Sequence, residues 1–180
     1  MKNASDGELM SLIAKGSQTA FREIYRRYSS LVLGYSRRLL REAQNADELS
    51  QEAWLKIVRG AASFRGDGSV KSWIFTVVRR TALNHMRDQL PQEIPVDIET
   101  VEVLAASEFE QAVLARAEIA EVRSALRELP DNQRLALTMW LTEEMSYEDI
   151  ARELNLSEGA VKQLLHRARQ TLETRIRRGA

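Results

Sequence analysis

The stretch that decides the fold runs from Met145 to Arg169 and reads MSYEDIARELNLSEGAVKQLLHRAR. Ser146, followed by Asp149 three residues later, is a box-like helix start, an Asp version of the usual Glu. The apolar period ends at Leu154. Asn155-Leu156-Ser157 leaves room for a tight turn, and Ser157 can cap a second helix reaching about Arg177. Short helix, three-residue turn and capped helix together make the layout of a helix-turn-helix. On the second helix Val161, Leu164, Leu165, Ala168, Leu172 and Ile176 share a stripe about 120° wide, at roughly 100° per residue. Gly159, Lys162, Gln163, His166, Arg167 and Gln170 lie opposite, with Arg169 at the flank. That face offers donors of several geometries, suited to base edges and phosphates. Gly159 would let the backbone approach a phosphate. The plainer reading is an amphipathic helix with a solvated basic face, but Gly159 to Ala180 holds 6 basic residues against 1 acidic, which is unusual for that. His166 reads as a polar surface residue rather than a metal ligand or proton shuttle.

Upstream the period stays helical. A helix is expected from about Phe109 to Leu129, ending before Pro130, and Asp131 can cap the next one, through Leu141. In the first half, Ser5 or Asp6 can cap a helix carrying Leu9, Leu12 and Ile13, and Gly16-Ser17 breaks it. A long helix then places Phe21, Ile24, Tyr25, Tyr28, Leu31, Val32 and Tyr35 on one face. Asn45-Ala46-Asp47 restarts the chain into a third helix with Leu49, Ala53, Trp54, Ile57 and Val58. Gly60, Gly66 and Gly68 make Arg59 to Val70 a loop. A fourth helix, Lys71 to Arg87, is expected to turn Trp73, Ile74, Val77 and Val78 inward and Arg79, Arg80, Asn84 and Arg87 elsewhere. No stretch alternates with a period of two, so the fold class is all-α.

Two small helical domains fit the 180 residues, 1–88 and 109–180, with 89–108 as an acidic linker. Net charge is zero, but its distribution is uneven. Residues 1–88 hold 15 Lys/Arg against 9 Asp/Glu, and residues 89–115 hold 6 acidic residues and no Lys/Arg. Pro91, Pro95 and the scarcity of large apolar residues mark the linker. Extended, its twenty residues could reach roughly 60–70 Å, so the halves need not touch. No 18-residue apolar run and no signal peptide are visible, which points to a cytoplasmic protein without membrane insertion. The absence of Cys excludes disulfides and thiol chemistry. There is no nucleophile–base pair, phosphate loop or metal cluster, so no catalysis, cofactor or metal is expected.

Leu129-Pro130-Asp131-Asn132-Gln133-Arg134, Met145 to Ala151, Ser157-Glu158-Gly159-Ala160-Val161-Lys162 and His166-Arg167-Ala168-Arg169 resemble region four of extracytoplasmic-function sigma factors of the sigma-70 family. Ala20-Phe21 through Tyr25 and Tyr28, and Asp47-Glu48-Leu49-Ser50-Gln51-Glu52-Ala53-Trp54, resemble region two. So do Ser63-Phe64-Arg65-Gly66-Asp67 and Ser72-Trp73-Ile74-Phe75-Thr76-Val77. The resemblance runs from about Glu8 to Ile176, with both sets in family order. It implies a factor that carries core RNA polymerase to promoters. Asp47, Glu48, Gln51 and Glu52 would grip the beta-prime clamp, and the beta flap is a further implied contact on the polymerase. Phe64, Arg65, Gly66, Asp67, Lys71, Arg79, Arg80 and Asn84 would serve the minus-ten element, the loop receiving a flipped base. Ser157, Glu158, Gly159, Lys162, Gln163, His166, Arg167 and Arg169 would read the minus-thirty-five element. An anti-sigma factor is the implied inhibitor.

Plainer readings stand beside several of these. Asp47 and Glu48 also suit a helix N-terminal turn. Trp73 reads as a core residue buttressing the loop. The acidic linker would either mimic nucleic acid in a polymerase channel or be a solvated spacer. The family usually has Asn at the position of Arg80 and often Arg at that of Leu164, which leaves the promoter sequence open. A stand-alone helix-turn-helix regulator and a sigma-mimicking adaptor remain as alternative functions.

Overall fold

The computed structural model of the chain describes residues 4–40, 42–66, 68–86 and 119–179. The expected linker, the start of the helix expected from Phe109, and Asp67 and Arg87 lie outside them. The described residues form eight α-helices, one 3-10 turn and no strand, in two compact units, Met1–Arg87 and Asp88–Ala180.

The first unit holds α1 (Asp6–Ala14), α2 (Gln18–Leu39), α3 (Ala43–Gly60), the 3-10 turn Ala61–Ser63 and α4 (Val70–Met86). Ser5 caps α1 in a full capping box, its side chain accepting from the Glu8 amide while the Glu8 carboxylate accepts from the Ser5 amide at 2.7 Å. Ser17 caps α2. The third helix begins at Ala43, two residues before the expected restart, without a side-chain cap. Leu9, Met10, Ile24, Val32, Tyr35, Leu49, Ile57, Ile74 and Val78 form the core, each large side chain contributing roughly 2 kcal/mol of burial. Tyr35 of α2 stacks on Phe75 of α4 at 4.6 Å between centroids. The expected face of α2 is only partly buried: Ile24, Val32 and Tyr35 are inside, whereas Tyr25 is 47% and Leu31 46% exposed.

The register of α4 departs from expectation. The inward side is formed by Val70, Ile74, Phe75, Val78, Arg79, Thr81, Ala82 and Met86, while Trp73 and Val77 are half-buried. This arc spans about 180°, because α1, α2 and α3 all pack against α4. Arg79, expected on the promoter side, is 4% exposed and belongs to the interior.

The second unit holds α5 (Ile119–Glu128), α6 (Asp131–Glu143), α7 (Tyr147–Leu154) and α8 (Glu158–Gly179). Asp131 does not cap α6. Pro130 stands at that position, and Asp131 pairs instead with the buried Arg134, which also donates to the Leu129 carbonyl at 3.0 Å. That closes the corner between α5 and α6. Ser146 caps α7 through the Asp149 amide. Asn155, at φ 55°, ends α7 in the left-handed region that Asn tolerates, and the Leu156 amide bonds back to the Ala151 carbonyl at 2.9 Å. Ser157 caps α8 through the Ala160 amide at 3.1 Å.

Helices α5, α6 and α7 all pack on α8. The buried stripe Val161, Leu164, Leu165, Ala168, Leu172 and Ile176 is as expected from its period. In the N-terminal half it widens to Ala160 and Gln163. Gln163, expected on the DNA-facing side, is 7% exposed and is corrected to an interior residue. Leu164, where the family often has Arg, is buried in the same core.

Candidate nucleic-acid and protein-docking surfaces

On α8, Gly159, Lys162, His166 and Gln170 remain on the outward arc, within about 80° of one another. Arg167 is half-buried beside Gln163, and Arg169 sits at the opposite flank, its Nε 2.8 Å from Glu173. Lys162 is held by two groups. Its ammonium is 2.9 Å from the Glu158 carboxylate and 6.0 Å from the ring centroid of Tyr147, which itself packs at 6.2 Å against Trp140. Burial pushes the Tyr147 hydroxyl up, with the nearby Lys162 opposing. Ser157 and Glu158 are exposed at the helix start, where the Ser157 hydroxyl accepts from the Ala160 amide.

In the first unit the glycine loop follows the 3-10 turn. Gly66 (φ 82°) and Gly68 (φ 120°) take conformations closed to most side chains, and the Gly68 amide bonds to the Gly66 carbonyl at 2.9 Å. Phe64 is half-buried and meets Trp73 edge to face at 6.1 Å. Trp73 also lies over Gly60, where an added Cβ would meet its ring in ordinary contact at 3.5 Å. Trp73 is therefore a partly exposed prop under the loop rather than a core residue. Arg65, Gly66, Lys71, Arg80 and Asn84 are exposed, Lys71 lying 5.7 Å over the Phe75 ring. Asp67 lies outside the described residues.

The outward face of α3 carries Asp47, Glu48 and Gln51, all exposed. The period places Leu55 and Val58 in the same arc of about 100°. Leu55 is 58% and Val58 39% exposed. Val58 is one of the apolar residues that mark this helix in the sequence, and Leu55 lies off that stripe; both stand on the outward side. At one edge Tyr25 packs on Trp54 at 4.9 Å and on Phe21 at 5.9 Å. Asp47 makes a loose 3.4 Å pair with Arg37. Glu52 differs from its neighbours. It is half-buried at the flank and bound to Lys56 at 2.7 Å and to His85 of α4 at 2.5 Å. Lys56 first, then His85, hold its carboxyl below the ordinary range.

The sequence matches the Sigma-70 region 2 family over residues 24–90 and the Sigma-70, region 4 family over residues 119–172. An ECF RNA polymerase sigma factor, SigM of Mycobacterium tuberculosis, is 33% identical over 93% of this chain and 83% of its own. This chain belongs to the extracytoplasmic-function sigma factors. RNA polymerase sigma-H factor of Pseudomonas aeruginosa is 32% identical, covering 93% of this sigma factor and 92% of its own length. The solved structure of CnrH in complex with the cytosolic domain of CnrY is similar in fold, with 24% identity, a TM-score of 0.56, and coverage of 98% of this chain and 100% of that one.

As a sigma factor it binds core RNA polymerase and promoter DNA and directs transcription initiation at promoters. The three surfaces just described are the candidates for those contacts. Among the described residues no helix is long and apolar enough to cross a membrane, and no His/Cys/Asp/Glu group could hold a metal ion.

Proposed function

We propose the following division of labour in this sigma factor. Residues 1–88 act as region two and residues 109–180 as region four, with 89–108 as the acidic linker. Asp47, Glu48 and Gln51, together with Leu55 and Val58, dock on the beta-prime clamp. Glu52 shapes that face through Lys56 and His85 as well as contributing charge. Phe64, Arg65, Gly66, Asp67, Lys71, Arg80 and Asn84 hold the opened minus-ten strand. Ser157, Glu158, Gly159, Lys162, His166, Arg167 and Arg169 read the minus-thirty-five duplex, and region four also meets the beta flap. Arg79 and Gln163 are left out of the contact sets because both are interior.

The observation that carries this reading is the α3 face. Exposed Leu55 and Val58 amid carboxylates are costly on a monomer surface and fit a partner with basic and apolar groups. An inhibitory protein partner covering these surfaces is supported by the CnrH–CnrY complex, whose sigma-like fold is seen with a bound protein domain. The factor works in the cytoplasm and supplies no catalytic group of its own, the chemistry belonging to the polymerase.

Run-off transcription with purified core polymerase, followed by start-site mapping, tests the reading. Defined start sites that require this protein are the expected result. Specific duplex binding as a dimer, without start-site selection, would overturn it.

A further inference from the structure

We infer that α1 is a positioning element for the base-receiving loop, an inference that rests on the loop's proposed role. Residues 6–14 precede the region-two match, which begins at residue 24. Yet α1 packs on the 3-10 turn Ala61–Ser63, the segment that leads into Phe64. Ala61 is buried, the Ser63 hydroxyl donates to the Gly60 carbonyl at 2.7 Å, and the Phe64 amide closes on the Ala61 carbonyl at 3.3 Å. The turn is short, so what holds Ala61 also sets where Phe64 begins.

The helix is latched more firmly than nine residues need for themselves. A helix of that length is not stable alone, so its place depends on tertiary contacts. Leu9, Met10 and Ile13 are buried. At its start the Asp6 carboxylate accepts from Arg27 Nη1 at 2.6 Å and from the Tyr28 hydroxyl. Arg27 also donates to the Ala4 carbonyl at 3.0 Å and to Glu23 at 2.8 Å. Desolvation, and then the bond to Asp6, push the Tyr28 hydroxyl up to about 12, so it remains a donor throughout the working range. The latch thus fixes α1 on α2, and α1 in turn supports the turn at the root of the loop. A loosened α1 would leave the loop to be ordered at the moment of capture, at an entropic cost that weakens binding of the flipped base.

The test uses holoenzyme assembled from full-length chain and core polymerase. Three quantities are read: affinity for core polymerase, affinity of holoenzyme for a single-stranded oligonucleotide of the minus-ten non-template strand, and the rate of strand opening followed by a fluorescent base. Asp6→Ala should leave polymerase affinity within about twofold while weakening oligonucleotide capture roughly tenfold, the loss expected when a charged hydrogen-bond acceptor is removed from its donors. Opening should slow in parallel. Asp6→Asn keeps an acceptor and should restore most of the capture, and Tyr28→Phe should give an intermediate loss. Unchanged capture in Asp6→Ala, or polymerase affinity falling in step with capture, would overturn the inference. Phe64→Ala separates the two levels. If it leaves capture intact, the loop reading fails and the role of α1 with it; if it weakens capture while the Asp6 and Tyr28 variants do not, only the role of α1 fails.

Discussion

The helices α4 and α8 look alike on paper and differ in the fold. Each has an apolar period and a set of cations expected on the far side. In α8 the apolar stripe is where its period places it, and Lys162 and His166 remain outside. In α4 the inward side is turned toward Phe75 and Arg79, leaving Trp73 at the rim. Both helices touch three neighbours, yet the apolar signal of α8 is six residues in register over about four turns, whereas that of α4 is a short cluster of four. A long stripe pins the rotation of a helix, while a short one lets the neighbours decide. A cation's assignment to a DNA surface is therefore only as good as the register of the stripe opposite it.

Exchanging the roles assigned to neighbouring arginines should produce the largest effect. Arg79→Met is expected to destabilise the first unit by roughly 2–3 kcal/mol, as interior polar positions do, whereas Arg80→Ala should stay within about 0.5 kcal/mol. Urea unfolding followed by fluorescence of Trp54 and Trp73 measures both; equal stability of the two variants would break the register argument for α4. On α8, Lys162→Ala with Arg167→Ala should weaken binding of a minus-thirty-five duplex by about 10–50-fold and flatten its salt slope by roughly two. Titrations at several salt concentrations check this, and an unchanged slope would remove both residues from the phosphate contacts.

Gln163→Ala sharpens the same contrast at lower cost. It should lower the stability of the second unit by about 1 kcal/mol and leave the salt slope alone; a change in duplex specificity at constant stability would return Gln163 to the surface. The smallest effect concerns Glu23, whose carboxyl is held down to about 2 by hydrogen bonds from Arg26 and Arg27. A depressed carboxylate gives stability that is present above its ordinary value of 4.5 and is lost as pH falls toward about 2. Acid unfolding of Glu23→Gln should therefore lack part of the native pH dependence in that window and match the parent's slope above it.

Much of the fold was legible in residue order. The capping box at Ser5 and Glu8, the break at Gly16-Ser17, the turn at Asn155 and the cap at Ser157 are local hydrogen-bonding devices, and local devices can be read without knowing the neighbours. The α8 polar arc was legible as well, since it follows from helical period, whereas the α3 carboxylates were marked by the family resemblance of their motif. Three things were decided only by tertiary packing: the burial of Arg79 and Gln163, the exposure of Leu55 and Val58, and the pairing of Glu52 with His85 across two helices. Period gives the angle of a side chain about its own axis; which angles are covered depends on how many other helices arrive, and from where.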